Sequence, residues 1–421
     1  MVAVSNHPFR PLRHRSVRLL WTAAVVSDIG TWVQLIVVGS LVASDTRSAV
    51  QTALVAIATF APQGLASPIG GLLADRFDRR TVFGVALMVQ ATVTGVLAVV
   101  LGSGVRTPAV LAALILVASA AGAVGAPAYS AMLPDLVPAD ELMAMVSLGV
   151  YSWNAGRIIG PLLGSLLALT IGAPWTVAFN AATFIVLASA VWLVKQHFIP
   201  PGDDGSIVER FVGGWQALRH TKGCWYVVST LMLYNITIVP FMGLMPIYAR
   251  AVFDGGTSLA GAFSAAQGIG AIVGGVAVTM LARTRRRSTL LPGVLFSVTL
   301  LLLGFALAPS RLAALLIIVP LGGAAAATFV TVTAIVQRDA PPASRGRVMA
   351  MTQACQGSAY GVGLLLVGII GDAASLRWAF GLGAVAMMAV MLVMARVRSD
   401  WRTVIDGREF DNLESPLAVA H

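Results

Sequence analysis

Long uninterrupted apolar runs constrain this chain more than any other feature. Many reach 20 residues or more, starting with one of about 25 residues after Arg18. A helix rises about 1.5 Å per residue, so roughly 20 apolar residues span a hydrocarbon core of about 30 Å. The chain is 57% hydrophobic and 11% charged, with a mean hydropathy of +0.85. A soluble domain is about half apolar and a quarter charged, and no soluble core absorbs this much apolar sequence. The class is an all-α polytopic membrane protein. The first run is too long for a signal-peptide core and reads as a retained first span.

Twelve spans are predicted. Six lie at roughly 18–43, 49–74, 81–103, 107–132, 142–170 and 174–194, and six more at 223–249, 258–282, 288–308, 311–335, 347–371 and 376–397. The organisation is then a first six-helix bundle (1–194), a linker (195–222), a second six-helix bundle (223–397) and a polar tail (398–421). In the linker, Ile207, Phe211, Trp215 and Leu218 recur at spacings of three and four. That pattern predicts an amphipathic helix lying at the membrane surface.

The net charge of +10 comes from 28 Lys and Arg against 18 Asp and Glu. With the N-terminus inside, 22 of the 28 bases fall on inside segments, five on outside loops, and Arg157 within a span. This positive-inside bias places both termini in the cytoplasm. It explains the basic balance through an anionic inner leaflet rather than nucleic acid. Cys224 and Cys355 lie in different apolar segments, and the five histidines all lie outside the spans. Neither set makes a disulfide framework or a metal site.

The halves read as a duplication. Gly70-Gly71 at the end of the second span is matched by Gly274-Gly275 at the end of the eighth, 204 residues on. Asp135 after the fourth span is matched, again 204 residues on, by Asp339 after the tenth. Repeated six-span halves about an axis along the membrane normal are a transporter plan.

The most informative stretch is "GGLLADRFDRRTV", residues 70–82. Orientation explains Arg76, Arg79 and Arg80. It does not explain Asp75, an acid at the end of an apolar helix, which needs a cationic partner or a helix N-terminus. The spacing resembles the signature loop of the major facilitator superfamily, G-x-L-a-D-r-x-G-r-r. Gly71, Asp75, Arg76, Arg79 and Arg80 match, and Asp78 stands where the family has glycine. "FRPLRHRSVRLLWTAAVVSDIGTWVQ", "LPDLVPADELMAMVSLGVYSWNAGRIIGPLLGSLL" and "VQRDAPPASRGRVMAM" resemble, in that order, a bacterial branch of exporters that includes enterobactin-exporter-like and macrolide-efflux-like proteins.

The resemblance implies a two-bundle secondary transporter working by alternating access, an exporter in the bacterial cytoplasmic (inner) membrane. It implies a cytoplasmic gate in which Asp75 faces Arg345 and Arg347 at the start of the eleventh span. In that gate Arg76 or Arg79 reaches Asp135 or Glu141. Asp78 would compete for the arginines. In the fifth span, Gly156, Gly160, Pro161 and Gly164 resemble the antiporter signature, with Ser165 in place of its last glycine. Small residues every four positions also let a neighbouring helix approach closely, with no further role.

Asp28 and Arg157 are ionisable residues deep inside spans, at depths within about one helical turn of each other. Such groups face a partner or a water-filled cavity. They are read as a charge pair in which Asp28 protonation is linked to transport, or as a static structural pair. The fourth span lacks the arginine that many proton-coupled exporters carry there. Trp32, Gln34, Trp153, Asn154, Asn180, Tyr234, Asn235, Gln267, Gln353, Gln356 and Tyr360 are the cavity candidates. As a set they describe a mostly apolar pocket suited to a bulky amphipathic compound, drug- or siderophore-like. Protons are the expected coupling ion and the bilayer the expected surroundings. A monomer suffices, because the architecture needs no partner to form a pathway.

Other functions fit less well. The only lysines, Lys195 and Lys222, sit in no phosphate-cradling loop, so no nucleotide or other cofactor is expected. No intramembrane histidine or acid cluster points to an enzyme. A receptor or scaffold leaves the duplication unexplained. The remaining alternative within transport is an importer or facilitator of a small metabolite.

Overall fold

In a computed structural model, residues 9–194, 207–282, 284–341 and 344–397 are described. Every regular element among them is helical. The order is α1 (Arg15–Thr46), α2 (Ala49–Arg76), α3 (Arg79–Gly102), α4 (Pro108–Met132), α5 (Leu142–Thr170), α6 (Gly172–Leu193), α7 (Ile207–His220), α8 (Lys222–Thr237), α9 (Pro240–Gly243), α10 (Met245–Phe253), α11 (Thr257–Leu281), α12 (Arg287–Ala306), α13 (Arg311–Asp339), α14 (Arg345–Ala373) and α15 (Leu376–Val397). Short 3₁₀ turns cover Arg10–Arg13, Leu133–Leu136 and Ala139–Glu141. The first twelve residues of the expected linker and the 398–421 tail lie outside the described residues.

Among the described residues ten helices are long and apolar enough to cross a membrane, and α2 makes eleven when its two arms are counted together. Those arms, Ala49–Gly64 and Ala66–Arg76, meet at 40°. Pro68 lies one turn past the bend, where its missing N–H leaves the Gly64 carbonyl unbonded and its ring crowds it, interrupting the ladder. The count therefore falls one short of the expected twelve. The missing span is α5, which is 29 residues long but less apolar because it carries Asn154, Arg157 and several glycines. The expected seventh span, 223–249, is long and apolar enough to cross a membrane over Gly223–Gly243, but it is interrupted. It breaks into α8, α9 and α10 around Pro240 and Pro246, each of which removes a backbone donor. The linker helix is present as α7. Its Leu218 is fully buried, and Trp215 stacks edge-on against Trp225 at 5.6 Å.

The chain forms two compact units. One comprises 1–207 with 243–265, and the other 208–242 with 266–421. The segment from the end of α9 into α11 thus groups with the first half of the sequence.

In the first unit α1 packs on α5 and α6, α2 on α4, and α3 on α4 and α6. Two apolar clusters fill it. Val17, Leu20, Met132, Leu148 and Val191 belong to one, and Val38, Leu97, Leu111, Ile115 and Val177 to the other. In the second unit α8 packs on α13 and α14, and α12 on α13 and α15. Phe305 sits there between Phe241 and Phe380, at 6.5 and 6.4 Å. Large apolar side chains such as Val99, Leu169, Leu312 and Trp378 stay exposed, as a hydrocarbon surround requires. In that surround close packing of small residues, not exclusion of water, holds helices together.

The two matched glycine pairs share a steric pattern. A Cβ on Gly70 would sit 2.7 Å from the Val124 carbonyl carbon, and one on Gly274 would fall on the Gly323 backbone. A Cβ on Gly71 or Gly275 would meet nothing within 4 Å. In each pair the first glycine is at the helix contact and the second is not.

Candidate functional site

The loop between α2 and α3 is only Phe77 and Asp78. Asp78 is the N-cap of α3: it accepts the Arg80 backbone N–H at 3.4 Å and the Thr81 hydroxyl at 3.0 Å. An exposed helix start explains this acid, so Asp78 is engaged by the helix it begins rather than competing for arginine side chains. Arg79 donates to the Ala131 carbonyl at 3.0 Å and meets Asp135 at 3.3 Å, tying α3 to the end of α4. Arg80 donates to the Val194 carbonyl at 2.6 Å, tying α3 to the end of α6. Asp75 is half-buried in the last turn of α2, and Arg76 is exposed.

Glu141 departs from expectation. It is 1% exposed, and its carboxylate meets Arg10 at 3.1 Å, Arg13 at 2.5 Å and His14 at 3.0 Å. Arg10 also pairs with Asp140 at 3.1 Å. The N-terminal bases therefore take Glu141, and of the signature-loop arginines Arg79 takes Asp135. The reason is local. The Arg10–Arg13 turn is anchored by Val17 and Leu20 of α1 in the core, and this brings three bases over the turn that precedes α5. The sequence held a signal: Arg10, Arg13 and His14 share one helical face at spacings of three and four.

In the second unit Arg345 and Arg347 are exposed in the first turn of α14. The Arg347 guanidinium lies over α7, 2.9 Å from where a Gly213 Cβ would be. Asp339, the counterpart of Asp135, pairs with its neighbour Arg338 at 2.5 Å.

The α5 glycines face α1. A Cβ on Gly156 would meet the Asp28 carbonyl carbon at 2.9 Å, one on Gly160 the Ile29 oxygen at 2.9 Å, and one on Gly164 the Val33 Cα at 3.1 Å. The stripe thus serves close packing within the first unit. The neighbouring residues engage a different element: Ser165 donates to the Pro161 carbonyl (2.8 Å) and to the Thr257 carbonyl (3.0 Å) at the start of α11. Because α1 and α5 approach so closely, Ser152 donates a short hydrogen bond to the Asp28 carboxylate. Sequence reading overlooked Ser152, although it lies four residues before Gly156 on the same stripe. Arg157 lies on the flank of α5 that carries Trp153, one turn further on.

The cavity candidates separate into groups. Gln34 accepts from the Asn180 amide at 2.8 Å, and both are buried; this pair ties α1 to α6. Asn154 and Asn235 donate to carbonyls of their own helices, Val150 and Leu231, each at 2.8 Å. Tyr234, Gln267 and Tyr360 are buried in the second unit, Gln356 is half-buried and Gln353 exposed. Trp32 and Trp153 come together, with ring centroids 5.5 Å apart, and Phe60 adds a third ring 6.2 Å from Trp32. An apolar surface groove of about 350 Å³ runs beside α2, α3 and α4, lined by residues such as Leu73, Val85 and Val124. It includes none of the predicted cavity residues. Among the described residues no three His, Cys, Asp or Glu side chains group as a metal site.

Residues 6–418 match the family described as transmembrane secretion effector. The chain belongs to the transmembrane secretion effector family. It is 30% identical over 398 residues to the multidrug efflux pump Tap of Mycobacterium tuberculosis, covering 90% of this chain and 92% of that one. It is 22% identical over 383 residues to macrolide efflux protein A of Streptococcus pyogenes, covering 89% and 94%. Its fold is similar to that of a bacterial homologue of the human lysosomal transporter Spinster, with a TM-score of 0.70, 14% identity and 94% and 97% coverage. This transmembrane secretion effector is accordingly a multi-pass membrane transporter of the major facilitator superfamily, acting on small molecules and not an enzyme.

Proposed function

We propose that the protein exports amphipathic small molecules, drug- or siderophore-like, across the bacterial cytoplasmic membrane by alternating access in exchange for protons. Its relationship to two efflux proteins along nearly their whole length supports the direction. The observation that carries the coupling is Asp28, a half-buried carboxylate inside an apolar helix with a neutral Ser152 hydroxyl on it. A carboxylate held this way tolerates being neutral as well as charged, which a proton carrier requires. Arg157, the base within a span, then biases Asp28 electrostatically. The inner-end charges, Asp75 with Arg345 and Arg347, act as a breakable latch worth a few kcal/mol net. The working unit is a monomer with both termini cytoplasmic, organised as bundles 1–194 and 223–397 about the 195–222 linker.

The test is flux in sealed vesicles, together with a drug, dye and siderophore susceptibility screen in a pump-deficient host. Wild type should lower accumulation, and uncoupler should abolish the effect. Asp28→Asn should remove the dependence on the proton gradient, and Asp75→Asn should slow turnover. Accumulation that rises on expression would favour the importer reading instead.

A further inference from the structure

The buried Glu141 carboxylate depends on a titratable donor. Its side chain is 1% exposed, and Arg10 and Arg13 approach Oε1 at 3.1 and 2.5 Å. Neither guanidinium is angled to make a hydrogen bond with that oxygen. Among the described residues, the hydrogen bond of this carboxylate lies between Oε2 and Nε2 of His14, at 3.0 Å. A buried acceptor loses stability when its donor is withdrawn.

The same ring nitrogen faces a second group. Arg13 Nε lies 3.4 Å from it, and a guanidinium only donates. One nitrogen cannot serve both. Bare, Nε2 accepts from Arg13 and repels Glu141. Carrying a proton, it donates to Glu141 and turns Arg13 away. Neutral imidazole takes either form by moving its proton between Nε2 and Nδ1. Imidazolium has a proton on both nitrogens, so only the Glu141 bond is left, and it is then charge-assisted. The ring is 32% exposed, so solvent protons reach it.

The other charges around the ring are few. Arg10 pairs with Asp140 at 3.1 Å as well as with Glu141. The first turn of α1 adds the exposed Arg15 and Arg18. In α5 there is no charged residue before Arg157, and Asp135 of the preceding turn is taken by Arg79. The His14–Glu141 bond is also the first of three polar ties along the α1–α5 seam. Next comes the Trp21 indole N–H, which donates to the Leu148 carbonyl at 2.8 Å, and then Ser152 with Asp28.

We propose that His14 is a pH-sensitive clasp. Protonated, it locks the N-terminal turn onto Glu141 and fastens the near end of the α1–α5 seam. Deprotonated, it is free to turn to Arg13 and loosens that end. Its proton is distinct from one carried by Asp28, about 21 Å further along α1. On the orientation proposed above the clasp reads cytoplasmic pH, but it depends neither on that orientation nor on the direction of transport.

The test compares full-length wild type with His14→Gln, purified in detergent, by thermal unfolding at about pH 6 and about pH 8.5, either side of the range in which histidine changes charge. Glutamine keeps a donor for Glu141 and does not titrate. The other histidines and Asp28 are common to both proteins, so their titration cancels in the difference. The sign follows from linkage: a base whose charged form is held only in the folded state adds stability at low pH and loses it as pH rises. Wild type should exceed the variant in melting temperature by about 2 °C or more at the acid pH, and the excess should vanish at the alkaline one. Hydrogen exchange of residues 9–20, corrected for intrinsic rate and referenced to the variant, should show matching extra protection at the acid pH. A difference equal at both pH values, as a static pair would give, overturns the clasp. So does a difference that grows with pH, which would put the ring on Arg13.

Discussion

The Arg13 guanidinium lies 2.5 Å from the Glu141 carboxylate, joining the N-terminal turn to the start of α5 across 128 residues of sequence. Glu141 is 1% exposed, whereas Arg13 is 53% exposed. Removing the acid therefore leaves Arg10, Arg13 and His14 facing one another, while removing one base leaves the acid two partners. Glu141→Ala should destabilise by about 3–5 kcal/mol, and Arg13→Ala by about 1 kcal/mol or less. Thermal unfolding in detergent checks the order, and equal melting temperatures for the two variants would contradict it.

Asp78 caps α3, so its substitutions should follow capping chemistry rather than gate chemistry. Asp78→Ala should cost about 1 kcal/mol and Asp78→Gly only a few tenths. Denaturant titration of the purified protein measures both. A glycine variant as unstable as the alanine variant would rule out the cap as the residue's main role.

The two glycines of each pair should differ. Gly70→Ala and Gly274→Ala push a methyl into the neighbouring backbone and should each cost about 1–3 kcal/mol. Gly71→Ala and Gly275→Ala should be tolerated. Yield of monodisperse detergent-solubilised protein, with its melting temperature, gives the comparison.

Gln34 and Asn180 form a buried amide pair. Asn180→Leu alone should cost about 1–3 kcal/mol by orphaning Gln34, and adding Gln34→Met should recover much of the loss. A double-mutant cycle on thermal unfolding reads the coupling directly; additive losses would mean the pair does not act as a unit.

Much of the architecture was legible because its causes run along the chain. The apolar runs and the Lys and Arg bias depend only on nearby residues and the bilayer. Their reading reached the helical class and the helix Ile207–His220. It placed the seventh span but missed its breaks near Pro240 and Pro246, where the signal was present but the apolar run masked it. At the candidate site, the pairing of Arg79 with Asp135 was among the stated expectations. Ser152 beside Asp28 was not, because a serine in a glycine-rich stripe looks like packing until α1 is laid against it.

By itself the sequence determined what each segment is: an apolar helix long enough to span a membrane, or a short basic loop between two of them. Those properties follow from hydropathy, propensity and spacing, which are local. Only the tertiary structure decided which of two adjacent glycines touches a neighbour, which base takes Glu141, and which candidate polar residues hold helices together rather than cluster with Asp28. Those choices depend on interhelix distances of a few ångströms between residues far apart in sequence, and hydropathy and spacing do not encode such distances.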